Sequence, residues 1–204
     1  ACSLFPSPTI HIGGASTDWG AWESVSSLMR AGLGSGAVIE RLFIDRALRA
    51  LHFHGRRAAA WDTLTMAYPT PPPGTILLAH RPGDAGRRAA ESSGAPWVLA
   101  DADILTLSHP GRVNNALELG HTLPDRLTHA LRGERLKGVE AVAWSSTITT
   151  PDLLFYHLLP RLLVVAEAAW HGENSPSWEK LAPLIEHEMA HLRRAVPYWN
   201  PQQP

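Results

Sequence analysis

The chain has 204 residues, 45% of them hydrophobic, and a formal net charge of −1 at neutral pH. This length and apolar content predict a single domain over residues 1–204 with one well-buried core. The near-zero charge gives no electrostatic reason to expect nucleic acid or an anionic membrane surface as a partner. Cys2 is the one cysteine of the sequence, so no disulfide can form within the chain. We expect neither a signal peptide nor a membrane-spanning helix, and the sequence leaves the cellular compartment open.

The first half of the sequence alternates between strand and helix patterns. The first predicted strand covers 9–12 and ends at Gly13-Gly14, where the backbone can turn tightly. A short amphipathic segment over 22–33 follows, and then an outer helix over 37–53. The buried stripe of this outer helix is predicted to consist of Val38, Leu42, Leu48 and Leu51. The next predicted elements are strands over 57–61, 75–80 and 97–100 and a helix over 84–93.

The second half begins with a long irregular section over 101–123 and a predicted helix over 125–131. Val139 to Trp144 is a short apolar run, which predicts a buried fifth strand. A last helix is predicted over 178–194, with an apolar stripe of Leu181, Leu184, Ile185, Met189 and Leu192. Strands that alternate with helices in this way predict an α/β fold of parallel βαβ units.

Between the fifth strand and the last helix, the stretch that begins at Pro151 is apolar on nearly every side. Proline suits the first position of a helix, and an all-round apolar helix is expected to be buried. Pro160 lacks a backbone donor and should kink this helix. Arg161 and Glu167 must then be paired or hydrogen-bonded, because unpaired charges are not tolerated in a core.

Two stretches resemble a known family. The run Gly138-Val139-Glu140-Ala141-Val142-Ala143-Trp144-Ser145-Ser146, followed by Pro160-Arg161-Leu162, Glu167 and Trp170, resembles the last βα unit of glycoside hydrolase family 20, the β-N-acetylhexosaminidases. Near the start, Ile10-His11-Ile12-Gly13-Gly14, followed by Ala15-Ser16 and later Trp22, is similar to the family's H-x-G-G-D-E … W pattern.

The resemblance implies a partial (β/α)8 TIM barrel of about five parallel strands with outer helices, equivalent to strands four to eight of the family's fold. An open parallel sheet exposes unpaired backbone groups at its edges, which favours association. We therefore expect the barrel to be completed by a partner, either another barrel-forming polypeptide or a second copy of this chain.

The residues that would run the family's reaction differ in this sequence. Family 20 enzymes use the acetamido oxygen of the substrate as nucleophile, so the protein supplies an acid and an orienting carboxylate. By resemblance, Ala15 and Ser16 occupy those two positions, and neither can protonate a leaving group. Further polar positions of the family correspond to Thr63, His80, Ile104-Leu105-Thr106 and Ser146.

The aromatic residues of the family's pocket are kept as Trp61 and Trp144. The chain therefore looks like a pseudoenzyme, a structural or regulatory subunit with weak amino-sugar binding through Trp61, Trp144 and His80 and no cofactor. One alternative is an active β-N-acetylhexosaminidase whose acid comes from a partner chain or from Asp62. His11, in the H-x-G-G motif, is expected to be a hydrogen-bonded core histidine.

A third hypothesis rests on His187-Glu188-Met189-Ala190-His191, which is a literal H-E-x-x-H motif. Its two histidines fall one helical turn apart and could bind zinc in a metallopeptidase, with the glutamate as base. Two features argue against this zinc site. Both histidines are expected on the flank of the helix, and residues 192–204 contain no further His, Asp, Glu or Cys to complete the site.

Overall fold

A computed structural model describes residues 2–15, 17–25, 27, 32–108, 120–123 and 135–195. The strands follow one another in chain order, from β1 to β5, along a five-stranded sheet. This arrangement of strands and helices confirms the predicted α/β fold. The chain divides into two compact units, Ala1–Trp97 and Val98–Pro204, with the division inside the fourth strand.

The described part of the first unit alternates between strands and helices. Its elements are β1 (Thr9–His11), α1 (Trp19–Glu23), α2 (Gly36–Phe53), β2 (Arg57–Trp61), α3 (Leu64–Ala67), β3 (Ile76–Ala79), α4 (Ala85–Ser93) and β4 (Trp97–Leu99), which continues into the second unit. The predicted strands and the predicted helices over 37–53 and 84–93 are all present. The amphipathic segment predicted over 22–33 differs, because α1 begins earlier, at Trp19, where Asp18 caps it. Residues 26 and 28–31 of that segment lie outside the described residues.

The first three strands form a parallel ladder in the first unit. Thr9 of β1 is paired with Arg57 of β2, and Ala59 of β2 is paired with Ile76 of β3. The small and branched side chains of β2 and β3 are buried, as expected for parallel strands covered on both faces.

Helix α2 buries a different face from the predicted one. Ile44 and Leu51 are buried, whereas Val38 and Leu42 are each 45% exposed. The prediction of the stripe was therefore wrong for Val38 and Leu42. Ile44 and Leu51 are seven positions apart, which is nearly two turns, so their side chains share a face, and Val38 and Leu42 lie outside that face.

The described part of the second unit contains β5 (Leu136–Val139), α5 (Pro151–Leu158), α6 (Arg161–His171) and α7 (Trp178–Ala195). The fifth strand ends earlier than the predicted Val139–Trp144. Beyond it the backbone N–H of Glu140 still bonds to Leu99, and Val142 forms an isolated bridge with Thr106. The predicted strand 139–144 is therefore paired partly with Leu99 and partly with Thr106. An apolar pattern alone does not reveal such a division. The helix predicted over 125–131 lies outside the described residues.

The stretch that begins at Pro151 forms two helices rather than one kinked helix. Thr150 caps α5 by accepting a hydrogen bond from the N–H of Leu153, and the chain breaks before Pro160 with a bend of 45°. The prediction of burial on all sides was wrong, since Trp170 is 86% exposed and Leu162 is also exposed. Among the described residues no single helix has the length and hydropathy to cross a membrane. The bent pair α5 and α6 meets those two criteria jointly.

Arg161 is buried at the start of α6, and its charge is hydrogen-bonded as predicted. Its guanidinium donates to the carbonyl oxygens of Leu107 and His157, the second of which belongs to the last turn of α5. A carbonyl in that position has no partner within its own helix, so Arg161 supplies one. Burial lowers the pKa of Arg161 from its usual value. Glu167 is only half-buried and pairs with His171 at 3.0 Å.

The last helix, α7, confirms most of the predicted stripe. Leu181, Ile185 and Met189 are buried. Leu184 is 58% exposed, so its assignment to the stripe was wrong. The indole of Trp178 lies so close to Gly120 that a Cβ there would be 2.3 Å from a ring carbon.

The role of Arg161 can be tested by Arg161→Met, which keeps most of the volume and removes the donors. We expect the free energy of unfolding to fall by about 2 kcal/mol, because two buried carbonyls lose their partner. Urea denaturation measures this change. Arg194→Met, at an exposed position of α7, removes the same charge and should change the stability by less than about 0.5 kcal/mol. Equal effects of the two substitutions would contradict the assigned role.

Candidate functional site

The loop after β1 is held against the end of β2. Gly13 and Gly14 have φ angles of 80° and 91°, which side chains with a Cβ rarely adopt. The N–H of Trp61 donates to the carbonyl of Gly13 at 3.1 Å, and the hydroxyl of Thr63 donates to the carbonyl of Gly14. The two glycines thus turn the chain so that Ala15 lies beside Thr63.

Three rings line up at the carboxyl ends of neighbouring strands. His11 meets Trp61 edge-on with ring centres 5.0 Å apart, and Trp61 meets His80 at 4.8 Å. The predicted ligand-binding residues Trp61 and His80 are therefore brought together, and His11 is added to them. Carboxyl ends of parallel strands are where α/β barrels place their sites.

His11 is exposed, so the prediction of a core histidine was wrong. It is the last residue of an edge strand, and its Nδ1 accepts the N–H of Gly13 at 3.1 Å. Desolvation of the part of the ring that packs on Trp61 lowers the pKa of His11 below its usual 6.5. The lowered pKa favours the neutral form of the ring, in which Nδ1 can accept this hydrogen bond.

Asp62, the predicted substitute acid, is 1% exposed. Its carboxylate accepts hydrogen bonds from the backbone N–H groups of His80, at 2.8 Å, and Arg81, at 3.2 Å. The same carboxylate forms an ion pair with the Arg81 side chain. These donors hold Asp62 as a buried anion that ties the end of β2 to the loop after β3 and orients His80. Because the carboxylate is buried and its oxygens are occupied by these donors, this arrangement keeps it away from a substrate.

A pocket of about 460 Å³ lies beside the loop after β1, and we call it the α2 pocket. Ala15 and Thr63, two of the positions where the family resemblance places carboxylates, both line it. Ser16 lies outside the described residues. The remaining walls are formed by α1, the first turns of α2, and α3: Gly14, Thr17, Trp19, Ala37, Val38, Glu40, Arg41, Ile44, Met66 and Ala67.

Glu40 of α2 joins two walls of this pocket. One carboxylate oxygen accepts the hydroxyl of Thr17 at 2.9 Å, and the other accepts the indole N–H of Trp19 at 2.8 Å. Trp19 also lies against Gly36, where a Cβ would come within 2.3 Å of the Trp19 Cβ. Glycine at position 36 therefore allows α1 to pack directly on the start of α2. Nothing in the sequence pattern pointed to this pocket.

The site residues predicted in the second unit are described separately. The N–H of Trp144 donates to the hydroxyl of Ser108 at 2.9 Å, and its side chain is exposed. Ser146 lies in a short 3-10 turn and is exposed. Ile104, Leu105 and Thr106 are buried, so their side chains belong to the packing of this unit.

The H-E-x-x-H motif lies in α7. His187 and His191 are both exposed and flank the buried face of the helix. Within the described part of the chain, no three His, Cys, Asp or Glu side chains come together in a way that could hold a metal ion. The geometry therefore gives the zinc hypothesis no support.

Comparison with known proteins now places the chain. Residues 1–173 match the glycosyl hydrolase family 20 catalytic domain. A β-N-acetylhexosaminidase of Cellulomonas fimi is 31% identical over 77 residues, covering 38% of this chain and 14% of that protein. A β-hexosaminidase of Akkermansia muciniphila is 23% identical over 94% of this chain and 42% of its own length.

Solved structures show the same fold. An exo-β-N-acetylglucosaminidase of Vibrio harveyi, solved with N-acetylglucosamine, superimposes with a TM-score of 0.77. The two sequences are 21% identical, and the match covers 99% of this chain and 34% of that protein. The chain is thus an α/β protein built like part of a glycosidase TIM barrel. It belongs to glycosyl hydrolase family 20, and it spans less than half of each of these three relatives.

The structural role of Asp62 predicts the effect of Asp62→Asn. The asparagine amide cannot form an ion pair with Arg81, so we expect the free energy of unfolding to fall by about 2 kcal/mol. Breaking a fully buried ion pair would lower it further, but the Arg81 side chain is about one-third exposed. Chemical denaturation followed by tryptophan fluorescence measures this change. Asp152→Asn, at an exposed position, is the matched control. An unchanged stability for Asp62→Asn would rule out the tie between β2 and the loop after β3.

The neutral His11 predicts a pH dependence. Above pH 6.5 the ring is neutral in both the folded and the unfolded state, so it adds no dependence there. Below pH 6.5 the unfolded chain takes up a proton that the folded ring resists, so the stability falls as the pH drops towards the folded pKa. Comparing urea denaturation of the wild type and His11→Asn at pH 7.5 and 5.5 tests this. We expect the wild type to lose more stability than the variant, and equal losses would contradict the assignment.

Proposed function

We propose that this chain is a non-catalytic member of glycosyl hydrolase family 20 that acts as a structural or regulatory partner in a barrel assembly. The strongest support comes from the residues that follow strands β1 and β2 in the first unit. Ala15 stands where the resemblance places a catalytic carboxylate, and Asp62, the possible substitute acid, is buried and accepts three hydrogen bonds.

The chemistry of the family explains why these changes matter. A general acid must release a proton to the leaving group and recover it, which requires access and a pKa near the working pH. Alanine has no proton to give. Asp62 is buried, and its carboxylate is occupied by Arg81 and two backbone N–H groups, so it lacks the access that a general acid needs. The active-enzyme alternative would therefore need an acid from a partner chain.

The aromatic stack supports a residual role in sugar binding. Trp61 is half-buried between His11 and His80 and offers a flat apolar surface beside rings with polar nitrogens. We propose weak binding of an N-acetylhexosamine to Trp61 and His80 of the first unit. Trp144, in the second unit, stays a separate predicted sugar contact. Rings that already have a fixed orientation lose little conformational entropy when a ligand binds. A ligand that makes only weak contacts could therefore still bind to the stack.

A partner that completes the barrel is part of the same proposal. Strand β1 is an edge strand, where Thr9 bonds to the Ser7 hydroxyl through its N–H, at 3.2 Å, and its carbonyl, at 2.9 Å. A pairing strand would replace these local bonds. Large apolar side chains of the first unit are also exposed: Leu4, Phe5, Phe43 and Phe53. Another barrel-forming polypeptide, or a second copy of this chain, would cover them, and residues 1–204 would act as a single domain within that assembly.

Light scattering first establishes the mass of the purified chain, and any copurifying polypeptides are identified. The proposal is then tested by assaying the chain with a chromogenic N-acetyl-β-glucosaminide. We expect no turnover by the wild type, alone or with its partner. The double variant Ala15→Asp, Ser16→Glu restores the family's acid pair and serves as the matched comparison.

Each other result has a defined meaning. Turnover by the wild type alone, abolished by Asp62→Asn, would revive Asp62 as the acid and overturn the proposal. Turnover that appears only with a partner would assign the acid to that partner and would also overturn it. A monodisperse monomer with no second polypeptide would contradict the assembly.

A further inference from the structure

The α2 pocket is not part of the aromatic stack and needs its own explanation. Its floor is one face of α2, formed by Ala37, Glu40, Arg41 and Ile44 at spacings of three and four residues. Ile44 is buried, whereas the first turns of the helix face the pocket. A volume of about 460 Å³ lies within the range of small-molecule sites.

The polar groups of the pocket are mostly occupied. Glu40 accepts hydrogen bonds from Thr17 and Trp19, and the hydroxyl of Thr63 is bonded to Gly14. The apolar side chains of Val38, Met66 and Trp19 are exposed beside these groups. The pocket therefore offers an apolar interior with few free polar partners.

Arg41 is the basic residue among the described lining residues, and its guanidinium interacts with the hydroxyl of Tyr68. Its guanidinium lies 5.2 Å from the centre of the Tyr68 ring, which fixes its orientation. In the described ranges no carboxylate lies within ion-pair distance of Arg41. The nearby Asp45 accepts a hydrogen bond from the Tyr68 hydroxyl. A guanidinium presents several donors in one plane, a geometry that matches a carboxylate.

We propose that the α2 pocket binds a small organic carboxylate with an aromatic or branched aliphatic body, whose anionic group pairs with Arg41. The body lies against Trp19, Val38 and Met66. Glu40 is occupied by Thr17 and Trp19, whereas Arg41 lines the pocket and is the cation that the carboxylate would pair with. This site is independent of the proposed function, because a family member with or without activity could contain it.

The test uses three probes that share one apolar body and differ in charge: 2-naphthoate, its neutral analogue 2-naphthamide and the cationic 2-(aminomethyl)naphthalene. Binding to the full chain is measured by NMR titration that follows the indole N–H of Trp19 and the methyl group of Met66. We expect 2-naphthoate to bind about tenfold more tightly than 2-naphthamide, and the cation to bind least.

Two arginine variants of the same helix make the test specific. Arg41→Gln should weaken 2-naphthoate about tenfold and leave 2-naphthamide unchanged. Arg46→Gln removes an exposed arginine that does not line the pocket and should leave both affinities within about twofold. Thermal denaturation of both variants verifies that they fold.

The other outcomes overturn the proposal. Equal affinities for naphthoate and naphthamide would mean apolar binding without recognition of charge. Preference for the cation would assign the charge recognition to Glu40. Absence of binding, equal effects of the two arginine variants, or shifts confined to residues outside the pocket would exclude the site.

Discussion

The first unit depends on one buried carboxylate. Asp62 follows β2 directly and accepts hydrogen bonds from the backbone of His80 and Arg81, so its side chain joins the end of β2 to the loop after β3. A buried charge is stable only with such partners, and the same partners position His80 against Trp61. The interaction that keeps the rings aligned also removes this aspartate from acid chemistry. Under the proposed non-catalytic role, this one side chain would stabilise the strand ends and take no part in acid chemistry.

Much of the fold could be predicted because its signals are local. The left-handed Gly94 at the end of α4, the Thr150 and Pro151 start of α5, and the apolar strand β3 agree with elementary rules of capping and periodicity. The family could also be identified, since the H-x-G-G and P-R-L patterns are specific. These patterns fix backbone geometry, which changes little between relatives.

The errors of prediction arose where tertiary contacts decide. Val38 and Leu42 fit helical spacing as well as Ile44 does, and only the packing of α2 selects the face. The run from Val139 to Trp144 reads as one strand but divides between Leu99 and Thr106. His11 was assigned to the core because its motif is structural, yet an edge strand leaves it exposed. The α2 pocket could not be predicted, because its walls are brought together by side-chain hydrogen bonds across distant residues.

Gly36 restricts how the α2 pocket can change. Trp19 packs on the bare helix backbone at this position, and an added Cβ would lie 2.3 Å from the Trp19 Cβ and 2.8 Å from its backbone Cα. Displacing the indole would break its bond to Glu40 and open the wall formed by α1. A residue that lines no part of the cavity thus sets the cavity's shape. Variation in ligand preference among related sequences should therefore be sought at Val38, Arg41 and Met66, while glycine is retained at position 36.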